Sequence, residues 1–160
     1  MAEALPAVDA SPLIYLARTD NLPILKALAP ALLIPEPVLD EIRAKDDAVL
    51  RDVQAASWLS VVPTPDIPET LLAWDLGKGE ASVLAWALSR PGTIAVLDDQ
   101  RARFYAQWHE IPVIGTLGIV LGAKRQGMIP LARPVVQDLV ARGMYLSKVV
   151  ADKALALVGE

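Results

Sequence analysis

Short apolar runs alternate along the chain with longer stretches whose apolar residues recur every three or four positions, the signature of strands alternating with helices. Leu5 to Val8 is the first run and ends at Asp9; Ser11-Pro12 then supplies an N-cap and a first-turn proline for a helix through Ala17. A short helix from about Leu22 to Leu28 precedes a buried strand, Ala31 to Ile34, that Pro35 stops. Pro37 begins a further helix in which Val38, Ile42, Val49 and Val53 lay one apolar stripe on the core, with Asp46, Asp47, Arg51 and Asp52 on its wet side.

Trp58 to Val62 reads as a strand or extended segment, and Pro63, Pro65 and Pro68 mark a connection in which neither helix nor central strand persists. Gly77-Lys78-Gly79 opens a helix whose Val83, Leu84, Ala87 and Leu88 share a face until Pro91-Gly92 ends it, and Thr93 to Leu97 follows as a strand. Asp98-Asp99 closes that strand, a charged helix carries Arg101, Arg103 and Phe104, and Ile111 to Ile114 makes another strand. Thr116 is placed to cap a helix reaching Arg125; helices over about Val135 to Arg142 and Ser147 to Val158 complete the chain, with Gly143 as the stop between them. There is no internal repeat or low-complexity tract.

This alternation predicts a doubly wound α/β arrangement, a parallel sheet with helices on both faces. Ligands of such sheets sit beyond the carboxyl ends of the strands, where Asp9, Asp98 and Asp99 are expected. With 160 residues the chain is expected to form one domain over 1–160.

Composition narrows the chemistry. With 54% hydrophobic residues against 21% charged, disorder is excluded. Aromatics at 5% argue against a surface that binds single strands mainly by stacking. The absence of cysteine removes disulfides, thiolate metal sites and a cysteine nucleophile, and the single histidine, His109, excludes a two-histidine zinc motif. No G-x-S-x-G elbow is present. Carboxylates remain as the reactive groups. The opening segment lacks the basic and apolar regions of a secretory signal, no apolar run is long enough to span a membrane, and a cytoplasmic location without membrane contact is expected. A net charge of −4 gives no general attraction for polyanions, so contact with nucleic acid needs local cations or bridging metal ions.

Five acids stand out. Asp9 ends a strand but precedes the better cap, Ser11, so capping does not explain it. Glu41 flanks the apolar stripe and also stands four residues before Lys45, the spacing of a surface ion pair. Glu80 suits a first helical turn electrostatically, yet it continues the core-facing stripe of Val83 and Leu84 toward the strand ends. Asp99 is the better placed of Asp98-Asp99 to cap the following helix, which leaves Asp98 without that duty. Gathered at one sheet edge, these carboxylates repel one another unless a cation neutralises them, and an all-oxygen donor set selects Mg²⁺ or Mn²⁺. Metal-assisted phosphodiester hydrolysis is the leading chemistry. Arg101, about one turn past the aspartates, is the favoured phosphate contact among the C-terminal basic residues. Gly77-x-Gly79 is not a nucleotide loop, since Ser82 stands where a third glycine belongs and no strand precedes it. His109, beside Trp108, is read as structural.

The segments V-D-A-S-P-L-I, I-P-x-x-V-x-x-E, G-x-G-E-A-S-V-L-A and V-L-D-D-Q-R-A-R together resemble the PIN-domain superfamily over almost the whole chain, including G-T-L-G-I-V-L-G-A-K-R-Q-G-M-I. The pattern is nearest to a prokaryotic PIN-like family of largely uncharacterised proteins and more distantly similar to VapC-type toxins. The resemblance implies a Rossmann-like central parallel sheet of about four or five strands and Mg²⁺- or Mn²⁺-dependent ribonuclease activity. It makes Asp9 the first acid, Glu41 the second, Glu80 the third, and Asp98 or Asp99 the fourth, with Ser11 as the small polar residue beside the first. The toxins usually carry aspartate as the third acid and T-x-D at the end of the fourth strand, where this chain has Glu80 and Leu97-Asp98-Asp99.

The expected function is therefore hydrolysis of single-stranded RNA, with Asp9, Glu80, Asp98 and Asp99 on the metal, Glu41 binding it or positioning water, and Ser11 and Arg101 on the substrate. The resemblance to toxins implies a toxin-antitoxin role and a small antitoxin protein as partner. The alternative is a non-catalytic PIN-like module that binds RNA or protein. The large apolar fraction, with Trp58, Trp74 and Trp108, makes a homodimer expected in either case. Phosphoryl transfer through an aspartyl intermediate is disfavoured, because Ser11 stands where a second acid belongs and Gly115 follows Ile114 where a late lysine belongs.

Overall fold

The computed structural model describes residues 3–160; Met1 and Ala2, part of the opening segment read above for a leader signature, lie outside it. Its centre is a five-stranded, all-parallel sheet in the order β3-β2-β1-β4-β5, built from β1 (Ala7–Val8), β2 (Leu32–Pro35), β3 (Leu59–Val62), β4 (Ala95–Val96) and β5 (Val113–Ile114). Helices cover it: α1 (Ala10–Arg18), a 3-10 turn (Leu22–Ala27), α2 (Glu36–Lys45), α3 (Asp47–Ala55), α4 (Glu69–Leu72), α5 (Lys78–Ser89), α6 (Gln100–Trp108), α7 (Thr116–Arg125), α8 (Arg133–Ala141) and α9 (Lys148–Ala156). The doubly wound arrangement expected from the alternation of runs is the one found. Strand order reverses between β1, which leads to β2, and β4, its other neighbour, so the crevice of the sheet opens where Asp9 and Asp98 leave their strands. Val8 is in register with Val96, which brings those two exits side by side.

The strands are shorter than their apolar runs because Leu5, Thr93 and Ile111 lie before the hydrogen-bonded stretches. Pro35 does not stop β2 but ends it, in register with Val62; β1 pairs only at Leu33, so the missing amide of Pro35 leaves no partner unsatisfied on that side. Three expectations about helix ends are corrected. Helix α1 begins at Ala10 with Asp9, not Ser11, at the capping position, and α7 begins at Thr116 with Gly115 as its cap. The third concerns the predicted helix through Val53, which is two. Asp46 adopts extended backbone (φ −158°, ψ 103°), and its carboxylate accepts from the Val49 amide at 3.1 Å and from Arg18 Nε at 2.9 Å. The cap starts α3 afresh, while Val38 and Ile42 on α2 and Val49 and Val53 on α3 are all buried. A side-chain cap is invisible to a periodicity argument because it leaves the stripe intact. The proline-rich connection also contains one turn of helix, α4, entered directly after Pro68.

Tyr105, Leu13, Leu16, Ile34, Ile42, Leu84 and Leu97 are among the largest fully buried side chains; α5 packs on β1, β2 and β4, α2 on β2 and β3, and α6 on β5. Among the described residues no helix is long and apolar enough to cross a membrane.

Candidate active site

Asp9 and Asp98 stand at the carboxyl ends of β1 and β4, Glu80, Asp98 and Asp99 line one cleft, and Glu41 opens onto a neighbouring one beside Lys78 and Gly79, near enough to Asp9 to act on its charge. Asp9 is 1% exposed, and its amide donates to the Val96 carbonyl at 3.0 Å, so β4 holds it in place. Although it sits at the N-cap of α1, its side chain makes no capping bond, and its Oδ1 is buried without any hydrogen-bond partner. Burial and then the negative charge of Glu80 push its carboxyl well above the usual range; the Ala10 amide offsets part of this, and Glu41 and Asp98 add to it. A buried carboxylate left with an orphan oxygen costs stability, and capping does not account for it.

Glu80 lies in the first turn of α5, half-buried, and is likewise raised. Burial is the main cause, its own backbone amide opposes it, and Glu41 and Asp99 contribute repulsion that Lys45 partly relieves. Glu41 makes the ion pair its spacing allows, its Oε1 accepting from Lys45 Nζ at 3.0 Å. Its Oε2 and Asp9 Oδ1 both lie beside Gly79. A Cβ built there would stand 2.7 Å from Asp9 Oδ1 and 3.4 Å from Glu41 Oε2, so only a hydrogen fits at that point. A Cβ on Gly77 would collide with the Glu80 carboxylate.

Asp98 and Asp99 divide their duties. Asp99 caps α6, its Oδ1 accepting from the Ala102 amide at 2.9 Å. Asp98 turns instead to the start of α7, where the Thr116 amide donates to Oδ1 at 2.7 Å and the Thr116 hydroxyl donates to Oδ2 at 2.6 Å. Gly115 is needed beside it, since a Cβ there would crowd Arg103 Nη1 at 2.5 Å and Asp98 Oδ1 at 2.9 Å.

Ser11, Glu80, Asp98, Asp99 and Arg103 line one end of a cleft of about 730 Å³. Arg103 is the cation there, and its Nη1 also donates to the Leu97 carbonyl at 3.2 Å. Arg101 is exposed and its Nη2 bonds the Trp74 carbonyl. Proximity in sequence favours Arg101, but Arg103 is one helical turn beyond Asp99 and so shares its face of α6. Sequence spacing marks Thr116 only as a cap; its contact with Asp98 spans 18 positions, which no local pattern signals. His109 stacks on Tyr105 with ring centroids 4.1 Å apart, away from the acids.

The donor set fits a hard divalent cation. Every candidate ligand is a carboxylate, and Asp9 offers an unpaired oxygen with space kept open by Gly79. Among the described residues no three acidic or imidazole side chains are already gathered around one point. Mg²⁺ is commonly held through one or two carboxylates with water completing its shell, so the arrangement suits a hydrated ion.

No curated protein matches the sequence. A family model described as a PIN domain matches residues 6–160.

Proposed function

Because the chain belongs to the PIN-domain superfamily, a nuclease-like fold, we propose that it is a divalent-metal-dependent nuclease that hydrolyses single-stranded RNA. The observation that carries this reading is Asp9, a buried carboxylate with an orphan oxygen among other acids. In this proposal Asp9, Glu80 and Asp98 hold Mg²⁺ or Mn²⁺, with Asp99 at the outer side. Such an ion supplies positive charge to the scissile phosphate and acidifies a water for attack. Thr116 keeps the Asp98 carboxylate in one orientation. Glu41, with one oxygen engaged by Lys45, presents the other to take a proton from the attacking water. Ser11 and Arg103 orient the phosphate at the cleft end they line. A toxin role with an antitoxin partner is part of the same proposal.

A Mn²⁺ titration followed by calorimetry, run beside an RNA-cleavage assay, tests it. Cleavage by the parent and a loss of on the order of a hundredfold or more in folded Asp9→Asn and Glu80→Gln are expected. An Asp9→Asn protein that cuts as fast as the parent would end the proposal. The second reading, a binding module without turnover, draws on the absence of a pre-gathered ligand set among the described residues. It predicts RNA or protein binding that is indifferent to Mn²⁺.

A further inference from the structure

The cleft that holds the carboxylates has a second half of opposite character. Beyond Gly115, its lining is apolar: Val113 and Ile114 of β5, Leu117 and Leu121 of α7, and Met144 and Leu146 from the segment between α8 and α9. Val113, Ile114, Leu117, Met144 and Leu146 are only partly buried, so this surface is open to solvent at the edge strand. Gly118 deepens it, because a Cβ there would meet Ile114 Cγ1 at 2.8 Å.

Two tyrosines line this cleft, Tyr15 and Tyr145, and of these Tyr145 is the exposed one. Helix α8 ends with the Gly143 amide bonded to the Val140 carbonyl and the Met144 amide to the Leu139 carbonyl, both at 3.0 Å, a Schellman motif for which Gly143 takes φ +102°. The Gly143 carbonyl also accepts a long, 3.4 Å bond from the Tyr15 hydroxyl. The turn delivers Tyr145 to the cleft lining with its side chain almost free, at 94% exposure. A tyrosine so exposed contributes no packing to the fold, and its ring is available to a ligand.

We propose that the apolar half of the cleft is a nucleobase subsite and that Tyr145 stacks on the base next to the scissile phosphate. The inference rests on the nuclease reading above and adds to it where the base goes. Its support is continuity: Glu80, Asp98 and Asp99 line the same cavity as the apolar walls, so a substrate whose phosphate meets these carboxylates has the apolar lining within reach of its neighbouring base. That cavity is of the size that takes a small organic group, and a flat base matches an apolar floor with one free ring. The low aromatic content argues against an extended stacking surface, whereas a single ring takes a single base.

The test compares the parent, Tyr145→Ala and Tyr145→Phe on short oligouridylate and oligoadenylate RNAs, and on the same RNAs carrying one abasic ribose at each position in turn. Stacking on one ring is worth roughly 5- to 150-fold. Removing the base beside the cut linkage is expected to cost the parent that factor in kcat/KM, chiefly through KM. Tyr145→Ala is expected to lose the same factor on intact RNA and to ignore the abasic change, while Tyr145→Phe behaves as the parent. Full abasic sensitivity retained in Tyr145→Ala, or parent-like KM on intact RNA, overturns the inference. So does a Tyr145→Ala protein that light scattering shows to be monomeric where the parent is dimeric, with KM unchanged, since the surface is then an interface between copies. If the parent neither binds nor cuts these RNAs, the nuclease reading fails and the subsite falls with it. A parent that cuts with no dependence on Tyr145 overturns the subsite alone.

Discussion

Thr116 grips both oxygens of Asp98, its amide on Oδ1 at 2.7 Å and its hydroxyl on Oδ2 at 2.6 Å. The pair joins the exit of β4 to the first turn of α7 and fixes an acid that would otherwise rotate at the mouth of the cleft.

Thr116→Val removes the hydroxyl bond and keeps the shape. Loss of a partner that orients a metal ligand typically costs about ten- to a hundredfold in metal affinity or activity, and the lost bond costs about 1 kcal/mol of stability. Calorimetric Mn²⁺ affinity and cleavage rate are expected to fall together, and Thr116→Ser is expected to restore both. Unchanged affinity in Thr116→Val would show that Asp98 needs no such support.

Asp9 sets the acid side of the stability profile. Its carboxyl is raised above 3.8, chiefly by burial and then by Glu80, so the folded protein holds a proton that the unfolded chain has released. Stability therefore falls as pH rises from 3.8 through the folded value, and the whole penalty is present above it. Asp9→Asn is expected to be more stable than the parent at pH 7, since the amide needs no charge to be removed from water on folding. The gap should close as pH falls toward 3.8. Mn²⁺ should raise the melting temperature of the parent and leave Asp9→Asn unchanged. Denaturant unfolding across pH checks the first expectation and thermal melts the second.

Gly79→Ala separates folding from function. In a helix alanine is the better residue by up to about 1 kcal/mol. Its Cβ, however, would stand 2.7 Å from Asp9 Oδ1, closer than such contacts occur, and the carboxylate must move. The expected result is a folded protein, no less stable than the parent, with cleavage reduced by on the order of a hundredfold.

Glu160 is the subject of a prediction about the far end of the molecule. Its carboxylate accepts from Lys124 Nζ at 2.8 Å and from the amides of Ala132 at 2.7 Å and Arg133 at 2.9 Å, and its side chain is 8% exposed. The Lys124 bond, then the Ala132 amide, hold its pKa down to about 2 from 4.5. The stabilisation is complete above 4.5 and is lost as pH falls toward about 2. Glu160→Gln is expected to melt below the parent at neutral pH, with the difference vanishing in strong acid.

The acids are legible because each breaks a local rule: Asp9 ends a buried apolar run with no basic residue near it in sequence, Glu80 sits on an apolar stripe, and Asp98 is surplus to capping. The sheet is legible because its apolar runs are short and regularly spaced. What stays hidden depends on contacts distant in sequence or silent in periodicity. The Asp46 cap leaves the stripe unbroken, Thr116 meets Asp98 across two elements, and the apolar lining of the cleft includes Ile114, Leu117 and Leu121, which read as ordinary core. Arg103 is hidden by a preference for nearness along the chain over position around the helix.

The bond between Arg18 and Asp46 gives the break between α2 and α3 a further meaning. Helix α1 begins just after Asp9 and ends at Arg18, while α2 carries Glu41 and ends at Lys45 with Asp46 as its C-cap, so the two helices are pinned to each other at their C-terminal ends. The pin lies ~13 Å along α1 from Asp9. A surface ion pair of this kind adds little to stability. As the remote apex of a truss, it ties the end of the helix that follows Asp9 to the end of the helix that carries Glu41.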